Sequence, residues 1–117
     1  MQKKVLVIDD DEDILSLFKW VLEDAGYLVT AYSYAPELKD VCELDPHVII
    51  SDEWLPDKKG HQFCKEVKAN TATRHIPVIL VSAFSNIGAI AKRSRANGYV
   101  SKPFDIDDFL AVVKQYA

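Results

Sequence analysis

Cysteine is scarce in this chain: Cys42 and Cys64 are the only two among 117 residues. They form no C-x-x-C pair and have no histidine at a metal ligand's spacing, so neither a disulfide framework nor a thiolate zinc site is indicated. Two reduced, semi-buried thiols are the expectation. No apolar run approaches the ~18 residues that a membrane-spanning helix needs. The start, Met1-Gln2-Lys3-Lys4, leads into a short apolar strand and then acids, without a signal-peptide pattern; the cytoplasm is the expected compartment. Basic charge is in deficit, with 14 Lys and Arg against 18 Asp and Glu for a net charge of −4, which argues against direct nucleic-acid binding. Linkers, repeats and low-complexity tracts are missing as well. Residues 1–117 therefore read as one domain, long enough to bury a core without staples.

What is present alternates regularly. Val5–Ile8, Tyr27–Tyr32, Val48–Ser51, Ile76–Val81 and Tyr99–Ser101 are short runs rich in strand formers. Between them lie helical spacings. Ile14, Leu17, Phe18, Val21, Leu22 and Ala25 form one apolar face, and Gly26 is placed to terminate that helix. A second helix runs from Pro36, in its first turn, through Leu44 to the stop at Asp45-Pro46. A third carries Phe63, Cys64 and Val67. Ser85–Asn97 is weaker, interrupted by Gly88 and the basic stretch Lys92, Arg93 and Arg95, which reads as a solvated helix end. Asp105 caps the last helix. Five strands alternating with five helices give an α/β fold, a doubly wound, flavodoxin-like parallel sheet between two helical layers. The 2-1-3-4-5 strand order sets strands one and three side by side at the switch point, where ligands collect beyond the strands' carboxyl ends.

Under that order Asp9 and Asp10, ending strand one, meet Asp52, ending strand three. Three carboxylates in one small volume repel one another unless a cation joins them. An all-oxygen site with room for water suits Mg²⁺ better than Zn²⁺, and Mg²⁺ held this way serves phosphate oxygens. Strand four ends on Ser82, a hydroxyl donor; strand five ends on Lys102, a compact cation. A donor and a cation opposite a metal suit a transferring phosphoryl group, with Asp52 as attacking nucleophile.

These residues resemble the receiver domains of two-component response regulators over essentially the whole chain. Val7-Ile8-Asp9-Asp10 looks like the family's acidic pair, Asp52 with Leu55-Pro56 and Gly60 like its phosphoacceptor strand and loop, Val81-Ser82-Ala83 like its hydroxyl position, and Lys102-Pro103-Phe104 like its lysine with a following cis-proline. Tyr99 falls at the family's switch aromatic. The resemblance implies phosphoryl transfer to Asp52 from a sensor histidine kinase, a phosphotransfer protein or a small phosphodonor. It also implies Mg²⁺ held by Asp10, Asp52 and the backbone carbonyl of Trp54, with Asp9 acting through water. Lys102 would neutralise a phosphoryl oxygen. Ser82 would move to bond another, and Tyr99 would turn inward into the vacated space, changing the face formed by helix four, strand five and helix five. Such a domain catalyses its own phosphorylation and slow dephosphorylation without being a conventional enzyme.

Three features depart from the pattern. Glu53-Trp54 follows the phosphoacceptor, where a smaller pair is usual, and Phe84 adds bulk two residues beyond Ser82. The interval from Ser82 to Tyr99 is short, so a short or irregular fourth helix is expected. Arg95-Ala96-Asn97-Gly98 stands where a Gly-Ala-acid pattern is common. Alternatives are a phosphorylation-independent interaction module and an aspartate phosphatase using Asp9-Asp10-Asp11, although Asp13 does not fit the latter. A flavin mononucleotide site fits worse, because the loop after strand one is acidic. The chain reads as either a single-domain regulator or a piece of a longer one.

Overall fold

The computed structural model describes residues 2–117. Five strands, β1 (Lys4–Ile8), β2 (Leu28–Tyr32), β3 (Val48–Asp52), β4 (Val78–Ser82) and β5 (Gly98–Ser101), form one parallel sheet of order β2-β1-β3-β4-β5. Five helices alternate with them: α1 (Glu12–Asp24), α2 (Leu38–Leu44), α3 (Gly60–Ala69), α4 (Ile87–Ser94) and α5 (Ile106–Tyr116). This is the flavodoxin-like α/β architecture with the strand order expected above.

Period-two alternation divides the sheet's side chains between two cores. Val5, Val7, Val48, Ile50, Ile79 and Val81 face α1 and α5, where Phe18, Leu22, Phe109 and Val113 meet them. Leu6, Ile8, Ile49, Val78 and Leu80 face the opposite layer, against Val41, Phe63, Val67 and Ile87. The central strands β3 and β4 are buried along their entire length, as strands covered on both faces must be. Each fully buried aliphatic contributes roughly 1.5–3 kcal/mol relative to exposure, so these two layers are what hold the strand ends in place.

Several boundaries differ from the sequence expectation. Pro36 lies outside α2, which starts at Leu38 after the N-cap Glu37. Pro77 precedes β4 rather than standing in it. The cysteines are not alike: Cys42 is exposed and Cys64 is fully buried, both free. As expected, Gly26 follows the α1 C-cap at φ 97°, a conformation a Cβ would oppose, and Asp105 caps α5 by accepting from the Asp107 N–H. Helix α4 is indeed short, eight residues, and its C-cap Arg95 sits at φ 67°. The Lys102–Pro103 bond is cis. One tie between layers had no sequence signal. Lys68 Nζ donates to the Ile76 carbonyl at 2.8 Å and to Asn97 Oδ1 at 2.7 Å, joining α3 to the entries of β4 and β5.

No helix among the described residues is long and apolar enough to cross a membrane.

Candidate functional site

Asp9 continues the parity of Val5 and Val7, Asp52 that of Val48 and Ile50, and Lys102 that of Val100, so all three emerge on the α1/α5 side of the sheet's carboxyl edge. Pairing of β1 with β3 sets Ile8 beside Ser51, which brings the following acids together. Asp9, Asp10 and Asp52 each offer an oxygen within 4.8 Å of the others. Lys102 Nζ reaches between them, 3.2 Å from Asp52 Oδ1 and 3.5 Å from Asp9 Oδ2. The first distance is a charge-assisted hydrogen bond and the second an ion pair beyond hydrogen-bond length. The lysine is aimed by its surroundings. Its N–H donates to the Ser82 carbonyl at 2.8 Å, and Phe104, two residues on, stacks with Phe18 and packs on Phe109.

The acidic run divides into separate tasks. Asp9 is 1% exposed; its Oδ1 accepts from the Asp11 N–H at 2.9 Å. Its Oδ2 is buried without a hydrogen-bond partner among the described residues. Asp10 is exposed on the cluster's open side. Asp11 is the N-cap of α1, accepting from the N–H groups of Asp13 and Ile14, and Glu12 and Asp13 lie in the helix's first turn, where negative charge is favoured.

Burial and the neighbouring Asp9 charge push the Asp52 carboxyl up to about 6, against the opposing pull of Lys102. Burial likewise raises Asp9, moderated by the Asp11 N–H and by Lys102. One ammonium does not balance three carboxylates. A buried carboxylate oxygen that takes no hydrogen bond among the described residues, beside two more carboxylates, belongs to a ligand set suited to a hard divalent cation such as Mg²⁺.

Ser82, at the end of β4, is 1% exposed and has the opposite parity, toward the α4 side. Its Oγ accepts from the Phe84 N–H at 3.1 Å. Tyr99 is on the α4/β5/α5 face, 49% exposed. Its ring lies against Gly88, where a Cβ would come within 3.2 Å of the ring carbon Cζ. Gly60 has a different reason to be glycine: a Cβ there would run into the Asp52 carbonyl oxygen, and its N–H donates to the Glu53 carbonyl at 2.8 Å. The start of α3 is thereby drawn tightly under the end of β3.

The Trp54 ring is half exposed, 5.1 Å from Phe84 between centroids, with Lys59 Nζ over its face. Glu53 was not legible as a structural residue. It is 3% exposed, and its carboxylate accepts from the His61 N–H at 2.9 Å and faces His61 Nδ1 at 2.5 Å. Nothing in a Glu followed by Trp signals burial, because the partner that permits it is eight residues away on α3.

The chain matches the model of the response regulator receiver domain over residues 5–114. It is 34% identical to the polar-differentiation response regulator DivK of Brucella ovis, across 99% of this chain and 97% of that protein. The chemotaxis response regulator CheY4 of Vibrio cholerae superposes with a TM-score of 0.91 at 27% identity, covering 100% of both chains. The receiver domain of a Pseudomonas aeruginosa sensor histidine kinase, solved with a magnesium ion coordinated in its active site cleft, shares the fold with a TM-score of 0.89 at 19% identity, covering 99% of this chain and 98% of that one.

Proposed function

Because the chain belongs to the receiver domains of response regulators, the phosphoacceptor signalling domains of two-component systems, we propose that Asp52 is its phosphoacceptor, served by a sensor histidine kinase or a phosphotransfer protein in the cytoplasm. The observation that carries this reading is the placement of Lys102 between the carboxylates of Asp52 and Asp9 at the edge of the sheet. An Asp52 oxygen attacks the donor's phosphorus, a P–O bond to the carboxylate forms, and the P–N bond of a phosphohistidine or the P–O bond of an acyl phosphate breaks; the leaving group keeps the electron pair. Lys102 Nζ, already 3.2 Å from Asp52 Oδ1, supplies positive charge to a phosphoryl oxygen without reorganising.

Asp10, Asp52 and the Trp54 carbonyl would hold a Mg²⁺ ion, with Asp9 acting through water; when bound, the ion supplies the charge that offsets the crowded oxygens of phosphoryl and carboxylates. Ser82, whose Oγ accepts from the Phe84 N–H, keeps its O–H to donate and would move to bond a phosphoryl oxygen. Tyr99 follows it inward, leaving its seat on Gly88, and the α4/β5/α5 face changes for a partner.

The Trp54 and Phe84 rings stand beside this edge in contact with one another. They screen the acyl phosphate from water and lengthen its life. A Trp54→Asn protein labelled with acetyl phosphate should lose label severalfold faster than the wild type; equal decay rates would refute the screening role.

Intact mass after incubation with Mg²⁺ and acetyl phosphate tests the proposal itself. The wild type should gain about 80 Da, one phosphoryl group, and Asp52→Asn should gain nothing. No gain in the wild type, beside an active receiver as control, would leave an interaction module that works without phosphorylation.

A further inference from the structure

Between α3 and α4 runs a groove whose lining includes none of Asp9, Asp10, Asp52, Ser82 or Lys102. It consists of two hollows of about 260 Å³ and 200 Å³ that share His61 and Ile90. The first is walled by Trp54 and Phe84, with Lys59 at its rim. The second is bordered by Lys65 and Arg93. Aromatic surface in one hollow and two cationic side chains in the adjoining one give the groove two chemically different ends.

We propose that this groove binds a 5′-mononucleotide, its base against Trp54 and Phe84 and its phosphate against Lys65 and Arg93. Trp54 is 47% exposed and Phe84 44%, and their rings meet at 53°, presenting a shallow angled platform. Stacking of a base on such side chains is worth roughly 1–3 kcal/mol and tolerates any base. Lys59 Nζ lies over the Trp54 ring, so that face is taken and the base rests on the side shared with Phe84.

The length fits. Asn86, the N-cap of α4, lines the aromatic end and Arg93, in its last turn, the basic end, seven residues apart, a rise of about 10 Å. That is the reach of an extended mononucleotide and too long for an inorganic anion. On α3, Lys65 follows His61 by one helical turn, about 6 Å, which sets it beyond the groove's midpoint toward the basic end. At the midpoint, His61 Nδ1 is committed to Glu53 Oε2. That pairing leaves Nε2 to meet a ribose hydroxyl, which can either donate or accept.

Charge supports the same occupant. The protein carries a net charge of −4, yet Lys59, Lys65 and Arg93 all line this groove, and the carboxylate in it, Glu53, is buried and turned onto His61. The site thus offers an anion a local positive field on an otherwise acidic molecule.

The chain's two tryptophans make the test direct. Trp20 is 67% exposed on α1, so Trp20→Phe leaves Trp54 as sole reporter. Titration of that protein with AMP and GMP, in EDTA so that no divalent ion brings phosphate to the carboxylates, should quench Trp54 saturably. Adenosine, guanosine and inorganic phosphate should each bind at least about tenfold more weakly. Joint Lys65→Ala and Arg93→Ala substitution should weaken nucleotide binding by about tenfold or more, while acetyl phosphate labelling of Asp52 is unchanged. Absence of saturable quenching overturns the proposal. So does inorganic phosphate binding as well as nucleotide, which marks an unspecific anion patch. Tighter binding of a single-stranded oligonucleotide than of its mononucleotide, or full affinity in the double variant, also overturns it. Asp52 labelling reads the phosphoacceptor separately, so failure of one proposal is distinguishable from failure of the other.

Discussion

Replacing Asp52 by Asn should make the metal-free protein more stable, not less. The Asp52 carboxyl titrates at about 6 instead of 3.8, raised by burial and by Asp9. A folded-state value above the unfolded one means that the unfolded chain releases its proton first as pH rises. The native state is favoured by this group below pH ~4, and that advantage is lost as pH climbs through ~6. A displacement of about two pH units corresponds to about 3 kcal/mol. Asp52 is only 7% exposed, so solvent screens little of it. Asparagine has the shape of the neutral acid and carries no charge to repel Asp9. In EDTA at pH 8, the Asp52→Asn protein should gain about 2–3 kcal/mol, a rise in Tm on the order of 10 °C for a domain of this size. At pH 4 the two proteins should melt together. Saturating Mg²⁺ should stabilise the wild type by RT ln(1 + [Mg²⁺]/Kd) and the variant less, narrowing the gap at pH 8. Urea and thermal unfolding across pH 4–8, with and without EDTA, read all of this. A variant no more stable than wild type at pH 8, or a gap that does not change with pH, would refute the account of Asp52 as a strained buried carboxylate.

Three further outcomes follow from the same geometry. Lys102→Met removes the one cation between Asp52 and Asp9; divalent-ion affinity should rise by about tenfold as the competing charge goes, while acetyl phosphate labelling of Asp52 drops steeply, and a loss of ion affinity in titration calorimetry would contradict the placement. Mg²⁺ affinity of the wild type should fall on acidification below about pH 6, because the proton that Asp52 takes up there competes for the same oxygen; a flat profile from pH 8 to 5 would exclude Asp52 as a ligand. Gly60→Ala forces a methyl into the Asp52 carbonyl and should cost about 1–3 kcal/mol or more in denaturant unfolding, as overpacking does, with Gly26→Ala destabilising instead through φ 97° in open space; a Gly60→Ala protein as stable as wild type would show that α3 can draw back.

Much of this protein is written in short-range pattern. The strands, the helical faces, the sheet order and the residues that end the strands follow from periodicities two and 3.6 and from the rule that parallel strands need crossovers. Those depend on neighbours in the chain, and Asp9, Asp10, Asp52, Ser82 and Lys102 could be singled out on that basis. What a sequence does not contain is which of several like residues gets buried and what it meets there. Asp9 through Asp13 are one acidic run on paper. In the fold, Asp9 is enclosed with one oxygen that takes no hydrogen bond among the described residues, Asp10 stays open, and Asp11 becomes a helix cap. Pro36 reads as a first-turn proline, but α2 starts beyond it, at Leu38 after the N-cap Glu37. Glu53 is buried because His61 on α3 receives it, and the half-buried Lys68 is held by the oxygens of Ile76 and Asn97. Lys102 and Asp52 are 50 residues apart. The local alternation determined that each would end a strand; only closure of β1, β3, β4 and β5 into one sheet decided that the ammonium would lie 3.2 Å from the carboxylate, because that distance is set by the packing of two cores and by no stretch of chain between them.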